Sequence, residues 1–389
     1  MTSNISATSL SKNMHKNLFI PVCNRTNYSK LKPIIRQFEI IEPKVIGSSS
    51  IILEAYASPI QDIVNDNVDV VSMIDCLLMN NTLESMCKTV GLSVIEHASL
   101  FGSSRPDAIL VTGDRFDMLP AVLAARMMNI QIFHVQGGEN SGSIDDTVRD
   151  MITVCSYIHY VSTEKAANRV SSIVAGRDGV HNMGCPAVEY VAGLPVGDCF
   201  DVTRLKKRFK HKVNIQPNEP YLLIVVHPNT LDDKDIQMDV LMDACLSFKM
   251  KCIVVYPNVD AFSIVISETI KEKHIRFSNL ITVIKHAPLE DFVMMMAHAS
   301  CMVGNSSAGI REAASFGVPV VNIGSRQSHR ERNENTLDSL CVYQSIVEAI
   351  QLQLDHGPYG RSNVYYRPQS ALNIARHIES TITGRETDL

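Results

Sequence analysis

Cys301-Met302-Val303-Gly304-Asn305-Ser306-Ser307-Ala308-Gly309 reads as a short buried strand that ends in a glycine turn and opens a helix carrying Arg311 and Glu312. An apolar run, then small hydroxyl-bearing residues, then a helical period is the repeating unit of a parallel sheet wrapped by helices. Working outward, the same unit recurs. Strands are expected at Tyr221–Val226, Cys252–Tyr256, Leu280–Ile284 and Val318–Ile323, with helices at Asp233–Phe248 and Leu289–Ala299. An earlier series runs Asn17–Val22, Lys44–Gly47, Ala108–Thr112, Ile130–His134 and His159–Ser162, with helices at Asn27–Phe38, Leu83–Phe101, Phe116–Met128 and Asp145–Cys155. The pattern breaks around Gly184-Cys185-Pro186. The expected organisation is a loose arm over 1–16, an α/β domain over 17–190, and a second α/β domain over 191–389 that closes in a helix at Ser370–Ser380. The fold class expected is α/β, two doubly wound domains facing across a cleft.

Composition narrows the function. The 389 residues suffice for two or three cores, and 45% hydrophobic with 20% charged residues is globular. A net charge of −5 argues against a general nucleic-acid or membrane-surface binder. The ten cysteines form no C-x-x-C pair and no zinc-like grouping, and most sit in apolar runs as small core residues, so a reducing compartment is expected. Residues 1–17 lack the apolar stretch of a signal peptide, and no run reaches the ~18 apolar residues of a membrane span. A cytoplasmic protein follows as the expectation.

The polar motifs all follow strands, where two such domains place their ligand loops. Small residues at Gly304–Gly309 let a phosphate approach the backbone, and Ser306 and Ser307 add hydroxyls, so this loop suits a diphosphate. It also suits a plain helix N-cap. Arg326 follows the next strand, and Glu312 suits a ribose diol. Arg25, Ser29 and Arg115 supply a cation, a hydroxyl and a second cation from the first domain, unless each is a solvated surface group. His227 before Pro228 reads equally as a structural histidine or a phosphate donor. The stretch from His134 to Asp146 is the densest polar run. Asp145 and Asp146 open a helix, as caps or, with Asp114, as the general acid and base of an elimination.

Taken together these residues are similar to a known family. Cys23-Asn24-Arg25, Tyr28-Ser29-Lys30, Gly113-Asp114-Arg115-Phe116-Asp117, Gly137-Gly138-Glu139, Ser141-Gly142, Ile144-Asp145-Asp146, Gly304-Asn305-Ser306-Ser307, Gly309-Ile310-Arg311-Glu312 and Arg326-Gln327 resemble the hydrolysing UDP-N-acetylglucosamine 2-epimerases. The resemblance runs from about Asn17 to the end and is strongest to the epimerase half of the animal bifunctional enzyme that is also an N-acetylmannosamine kinase. It implies a glycosyltransferase-B-like fold with UDP in the cleft. The implied reaction eliminates UDP across C1–C2 of UDP-N-acetylglucosamine and hydrates the glycal, giving N-acetylmannosamine and UDP for sialic-acid synthesis. No cofactor or metal is implied, and a homo-oligomer, dimer or tetramer, is. UDP contacts are implied for Arg25, Ser29, Arg115, His227, Asn258, Ser306, Ser307, Glu312 and Arg326, and catalytic places for Asp114, Asp145, Asp146 and Gln136.

Several catalytic positions depart from the family pattern. Gly47-Ser48-Ser49 stands where the family has Gly-x-His, Gln136 where it has Glu, Asp150 where it has His, and Asn27 where the animal enzymes have Asp. An amide binds by hydrogen bonds but exchanges no proton near neutral pH, so an acid/base step worth roughly 10²–10⁴-fold is lost at Gln136 if the family Glu performs one. Two rivals to an active epimerase therefore stand: a catalytically impaired nucleotide-sugar-binding paralogue, and a glycosyltransferase of the same general fold, which would not need Gly137–Asp146.

Overall fold

The central strands are buried on both faces because their sequences leave no polar face. In Tyr221–Val225, Tyr221, Leu223 and Val225 enter one apolar cluster while Leu222 and Ile224 enter another. In Leu18–Val22, Leu18, Ile20 and Val22 face one cluster and Phe19 the other. Such two-sided burial is the mark of a parallel sheet covered by helices. The computed structural model describes residues 16–53, 60–80, 82–113, 115–142, 144–197, 200–209, 213–229, 235–257, 262–285 and 287–385. The arm expected over 1–16 thus lies almost wholly outside the described residues; its last residue, Lys16, pairs with Asp107 at 3.1 Å.

The first sheet contains β1 (Leu18–Val22), β2 (Lys44–Ser48), β3 (Val70–Ile74), β4 (Ala108–Thr112), β5 (Gln131–Val135), β6 (Ile158–Val161) and β7 (Val180–Asn182), in the order 3-2-1-4-5-6-7. The second contains β8 (Tyr221–Val225), β9 (Lys251–Val255), β10 (Ile281–Ile284), β11 (Cys301–Gly304), β12 (Val320–Ile323) and β13 (Thr336–Ser339), in the order 10-9-8-11-12-13. Every pair is parallel. The expected class, two doubly wound α/β domains, is the fold observed. Strand order reverses between β1 and β4 and between β8 and β11, the switch points where such sheets open a crevice. In the first sheet, registered pairing of β1 with β4 covers only Leu18–Ala108 and Phe19–Ile109. Pro21, beyond it, has no N–H to donate.

Three strands escape the sequence reading: β3, β7 and β13. All are sheet edges. Most of their residues are partly exposed, β3 alternating between intermediate and exposed until buried Ile74 and β7 uniformly intermediate, so they carry no continuous buried apolar run.

The terminal helix, expected to close the second domain, returns to the first sheet. It spans Ser370–Thr383 and packs Ala371, Ile374, Ala375, Ile378 and Ile382 into the cluster beneath β1, against the first sheet. Buried Glu379 secures it, its Oε1 accepting the N–H groups of Glu39, Ile40 and Ile41 at 2.9, 2.5 and 2.9 Å. The boundary placed at 190 falls inside the helix Pro186–Ala192. The nine cysteines among the described residues are all free, and burial pushes the Cys252 and Cys301 thiols up to about 12.

Candidate active site in the interdomain cleft

The loops after the switch-point strands meet around a cavity that opens to solvent between the two domains. Local chemistry fixes its floor. Gly304 ends β11 at φ +139°, and a Cβ there would lie 2.1 Å from the carbonyl oxygen of Val225, so only glycine lets β11 pass β8 so closely. Asn305, fully buried, accepts the N–H of His227 at 2.8 Å and donates to the His227 carbonyl at 2.7 Å. Ser306 caps the short helix Ser307–Arg311, its hydroxyl accepting from the N–H of Ala308 at 3.3 Å.

Arg25, Ser29, Arg115, Asp145, His227, Ser306, Ser307, Glu312 and Arg326 all line this cavity. Arg25 reaches across the cleft and donates to the carbonyls of Lys285 and Tyr256 at 3.1 and 2.9 Å. Ser29 turns its hydroxyl back to the Arg25 carbonyl at 2.9 Å. Arg115 is held by Asp117 at 3.3 Å. Arg326 donates to the Asn305 carbonyl at 3.2 Å and lies 3.4 Å from the Asp145 carboxylate. Burial, reinforced by the positive charges of Arg326, Arg25 and Arg115, holds the His227 imidazole well below its ordinary pKa, so it is neutral. Burial raises Glu312 despite the opposing charges of Arg311 and Lys30. Three guanidiniums thus converge on one neutral imidazole and two seryl hydroxyls, an arrangement able to neutralise a diphosphate. Beside it, Val255, Leu289, Phe292, Val293 and Met296 of the second domain form an apolar wall.

Asp146 and Gln136 are not among the lining residues. Asp146 accepts from Ser141 N–H at 2.7 Å, Ser141 Oγ and Gly142 N–H at 2.6 Å, and Arg149 at 2.5 Å. Burial opposes its ionisation, but those hydrogen bonds and Arg149 hold its pKa below the ordinary value. It clasps its own loop. Gln136 adopts φ +68°, is 3% exposed, and donates its amide to Cys185 Sγ at 3.3 Å. Asp114 and Asn258 lie outside the described residues.

Of the other departures from the family pattern, Asn27 lines the cavity, whereas Ser49 and Asp150 are not among its lining residues. Ser49 donates to Asp117 at 3.2 Å, and Asp150 makes a two-pronged pair with Arg169 at 3.1 and 2.7 Å. Sequence reading missed Asn305 as a connector, and missed the buried cluster in which the Glu139 carboxylate of the first domain pairs with Arg311 and Arg330 of the second. Both residues stood inside quoted motifs, but a motif names neighbours in the chain and not partners far away in sequence.

Among the described residues no group of three or more His, Cys, Asp or Glu is placed to hold a metal ion, and no helix is long and apolar enough to cross a membrane. The family model for UDP-N-acetylglucosamine 2-epimerase matches residues 51–379. The chain is 30% identical over 346 residues to a UDP-N,N'-diacetylbacillosamine 2-epimerase (hydrolyzing) of Legionella pneumophila, covering 88% of this chain and 89% of that one. It is 26% identical over 374 residues to a UDP-N-acetylglucosamine 2-epimerase of Neisseria meningitidis, covering 93% and 94%. The crystal structure of UDP-GlcNAc 2-epimerase from Neisseria meningitidis bound to UDP-GlcNAc superposes with a TM-score of 0.74 at 17% identity, over 95% of this chain and 100% of that one, a likeness of fold. The matched length, the two parallel sheets and the cleft agree, and the chain belongs to the UDP-N-acetylglucosamine 2-epimerase family.

Proposed function

We propose that the protein is a hydrolysing UDP-sugar 2-epimerase, converting UDP-N-acetylglucosamine and water to N-acetylmannosamine and UDP. One observation carries the reading: Arg25 and Arg115 of the first domain and Arg326, Ser306 and Ser307 of the second meet in the same cavity as Asp145, which opens a helix of the first domain. The diphosphate lies among the guanidiniums, the uracil on the wall that includes Phe292, the ribose diol at Glu312, and the sugar toward Asp145. As UDP leaves, negative charge grows on its β-phosphate, and the cations stabilise that charge. Asp145, with Asp114, moves the protons of elimination and hydration. The reading includes a cytoplasmic homo-oligomer with no metal or cofactor, serving sialic-acid precursor synthesis as the animal bifunctional enzyme does.

A second reading is a nucleotide-sugar-binding paralogue without turnover, supported by Gln136, Ser49 and Asp150 standing where the family has Glu, His and His. Incubating the pure chain with UDP-N-acetylglucosamine, and separately with UDP-N,N'-diacetylbacillosamine, discriminates the two. Release of UDP with the 2-epimeric free sugar at an enzymatic rate supports the epimerase and identifies its substrate. UDP binding without release from either sugar supports the paralogue.

A further inference from the structure

We propose that Glu139 is a positioning residue that sets the acid-bearing loop against the diphosphate loop. The kinetic part of this proposal rests on the epimerase reading; the conformational part does not.

The Glu139 carboxylate, 5% exposed, pairs with Arg311 and Arg330, whose side chains are 1% and 6% exposed. Arg311 ends the short helix that Ser306 caps and precedes Glu312, so it moves with the seryl hydroxyls. Arg330 itself lines the cavity. On the other side, the Glu139 carbonyl accepts from Arg149 Nη1 at 2.5 Å, and the same guanidinium nitrogen binds Asp146 at 2.5 Å. Asp146 in turn gathers the N–H groups of Ser141 and Gly142. Gly142 packs so closely on the Ser325–Ser328 turn that a Cβ would lie 2.7 Å from Ser328 Oγ, and the Ser141 carbonyl accepts the His329 N–H at 3.3 Å.

A continuous chain of buried contacts therefore runs from the seryl loop through Arg311, Glu139, Arg149 and Asp146 to the start of the helix that carries Asp145. Arg311, Glu139, Arg149 and Asp146 are not among the residues lining the cavity. What they determine is where Asp145 stands relative to the diphosphate. Catalytic rate is steep in such placement, because a displacement of about 1 Å can cost roughly 10²-fold, whereas diphosphate affinity depends chiefly on the cations.

Carboxylate loss at this position leaves two buried guanidiniums facing an amide, which is destabilising. Two variants are therefore compared: Glu139→Gln, and Glu139→Asp, which keeps the charge but shortens its reach. Melting temperature and circular dichroism check the fold. Hydrogen exchange over 137–146, UDP affinity by calorimetry, and kcat and KM for UDP-N-acetylglucosamine are then measured. In Glu139→Gln we expect loss of exchange protection in 137–146, UDP affinity within about fivefold of the parent, and kcat lowered at least thirtyfold with KM within about fivefold. Partial recovery of protection and kcat is expected in Glu139→Asp. If Glu139→Gln does not fold, the Asp variant alone should show intermediate protection and a kcat lowered several-fold at unchanged UDP affinity. Unchanged protection, or a fall in kcat matched by an equal fall in UDP affinity and melting temperature, overturns the proposal. If the parent chain does not turn over but 137–146 loses protection in Glu139→Gln, the epimerase reading fails while the positioning role stands.

Discussion

Asn305 and His227 exchange two hydrogen bonds across β11 and β8, the Asn305 amide accepting at 2.8 Å and donating at 2.7 Å to the backbone of His227. The pair bridges the strands at their switch point and fixes the loop that presents His227 to the cavity. Asn305→Ala leaves a backbone donor and acceptor unsatisfied at about 1–3 kcal/mol each. We expect a loss of about 2–6 kcal/mol by denaturant unfolding, together with UDP affinity at least tenfold weaker by calorimetry. Retained stability with full affinity would deny the bridge any role.

The hydroxyls of Ser306 and Ser307 line the cavity beside Arg326. Ser306→Ala with Ser307→Ala should weaken UDP by about 1–3 kcal/mol, the worth of hydrogen bonds to charged oxygens. Uridine, which lacks the phosphates, should bind the double variant and the parent alike. Equal weakening of uridine and UDP would move the diphosphate away from this loop.

Asp145 stands at the cavity wall within 3.4 Å of Arg326. Asp145→Asn keeps the shape and removes the proton acceptor, so turnover should fall by roughly 10²–10⁴-fold while UDP affinity stays within a few-fold. Initial rates of UDP release measure the first, and titration the second. An undiminished rate would take Asp145 out of the chemistry.

Gln136 touches Cys185 Sγ at 3.3 Å, and Arg311 Nη2 reaches the same sulfur at 2.7 Å. A carboxylate introduced by Gln136→Glu would sit beside Arg311 in a dry pocket and not over a sugar. Release of UDP should therefore change by less than about threefold, against the ~10²-fold or more expected of a restored general acid or base. A tenfold gain would place residue 136 at the reacting carbon.

Two buried histidines make the fold acid-sensitive. Burial, partly offset by a hydrogen bond to the Ser93 carbonyl, lowers His97 from 6.5 to about 4. Burial, aided by Arg177 and His181, lowers His159 from 6.5 to about 4. Between pH 6.5 and 4 the unfolded chain takes up protons that the native chain refuses, so stability falls as pH falls through this window and is indifferent to these groups above it. Each contributes a loss of about 3 kcal/mol at the acid end. Melting temperatures from pH 7 to 4.5 should decline less steeply in His97→Gln than in the parent; identical slopes would remove His97 as a cause.

Much of this architecture is written in local chemistry. Runs such as Leu222-Leu223-Ile224-Val225 between turn signals read as strands buried on both faces, and Gly304-Asn305-Ser306-Ser307 as the turn after one, so the two sheets and the loops at their carboxyl ends are legible residue by residue. The edges β3, β7 and β13 are not, because an edge strand gains its identity from a neighbour's hydrogen bonds and not from its own apolarity. Tertiary structure likewise decided that the helix Ser370–Thr383 returns to the first sheet: its apolar stripe specifies that it must be covered, and only Glu379, meeting three N–H groups near residue 40, specifies by what. The same distinction divides the site. The residue types that suit a diphosphate and a proton transfer are chosen within single loops, whereas the turn of Gln136 toward Cys185 and the seating of Glu139 between Arg311 and Arg330 depend on groups more than 40 positions away. The first arises when one domain folds back on itself, and the second only when the two domains have closed on one another and buried charges have found the partners that make their burial tolerable.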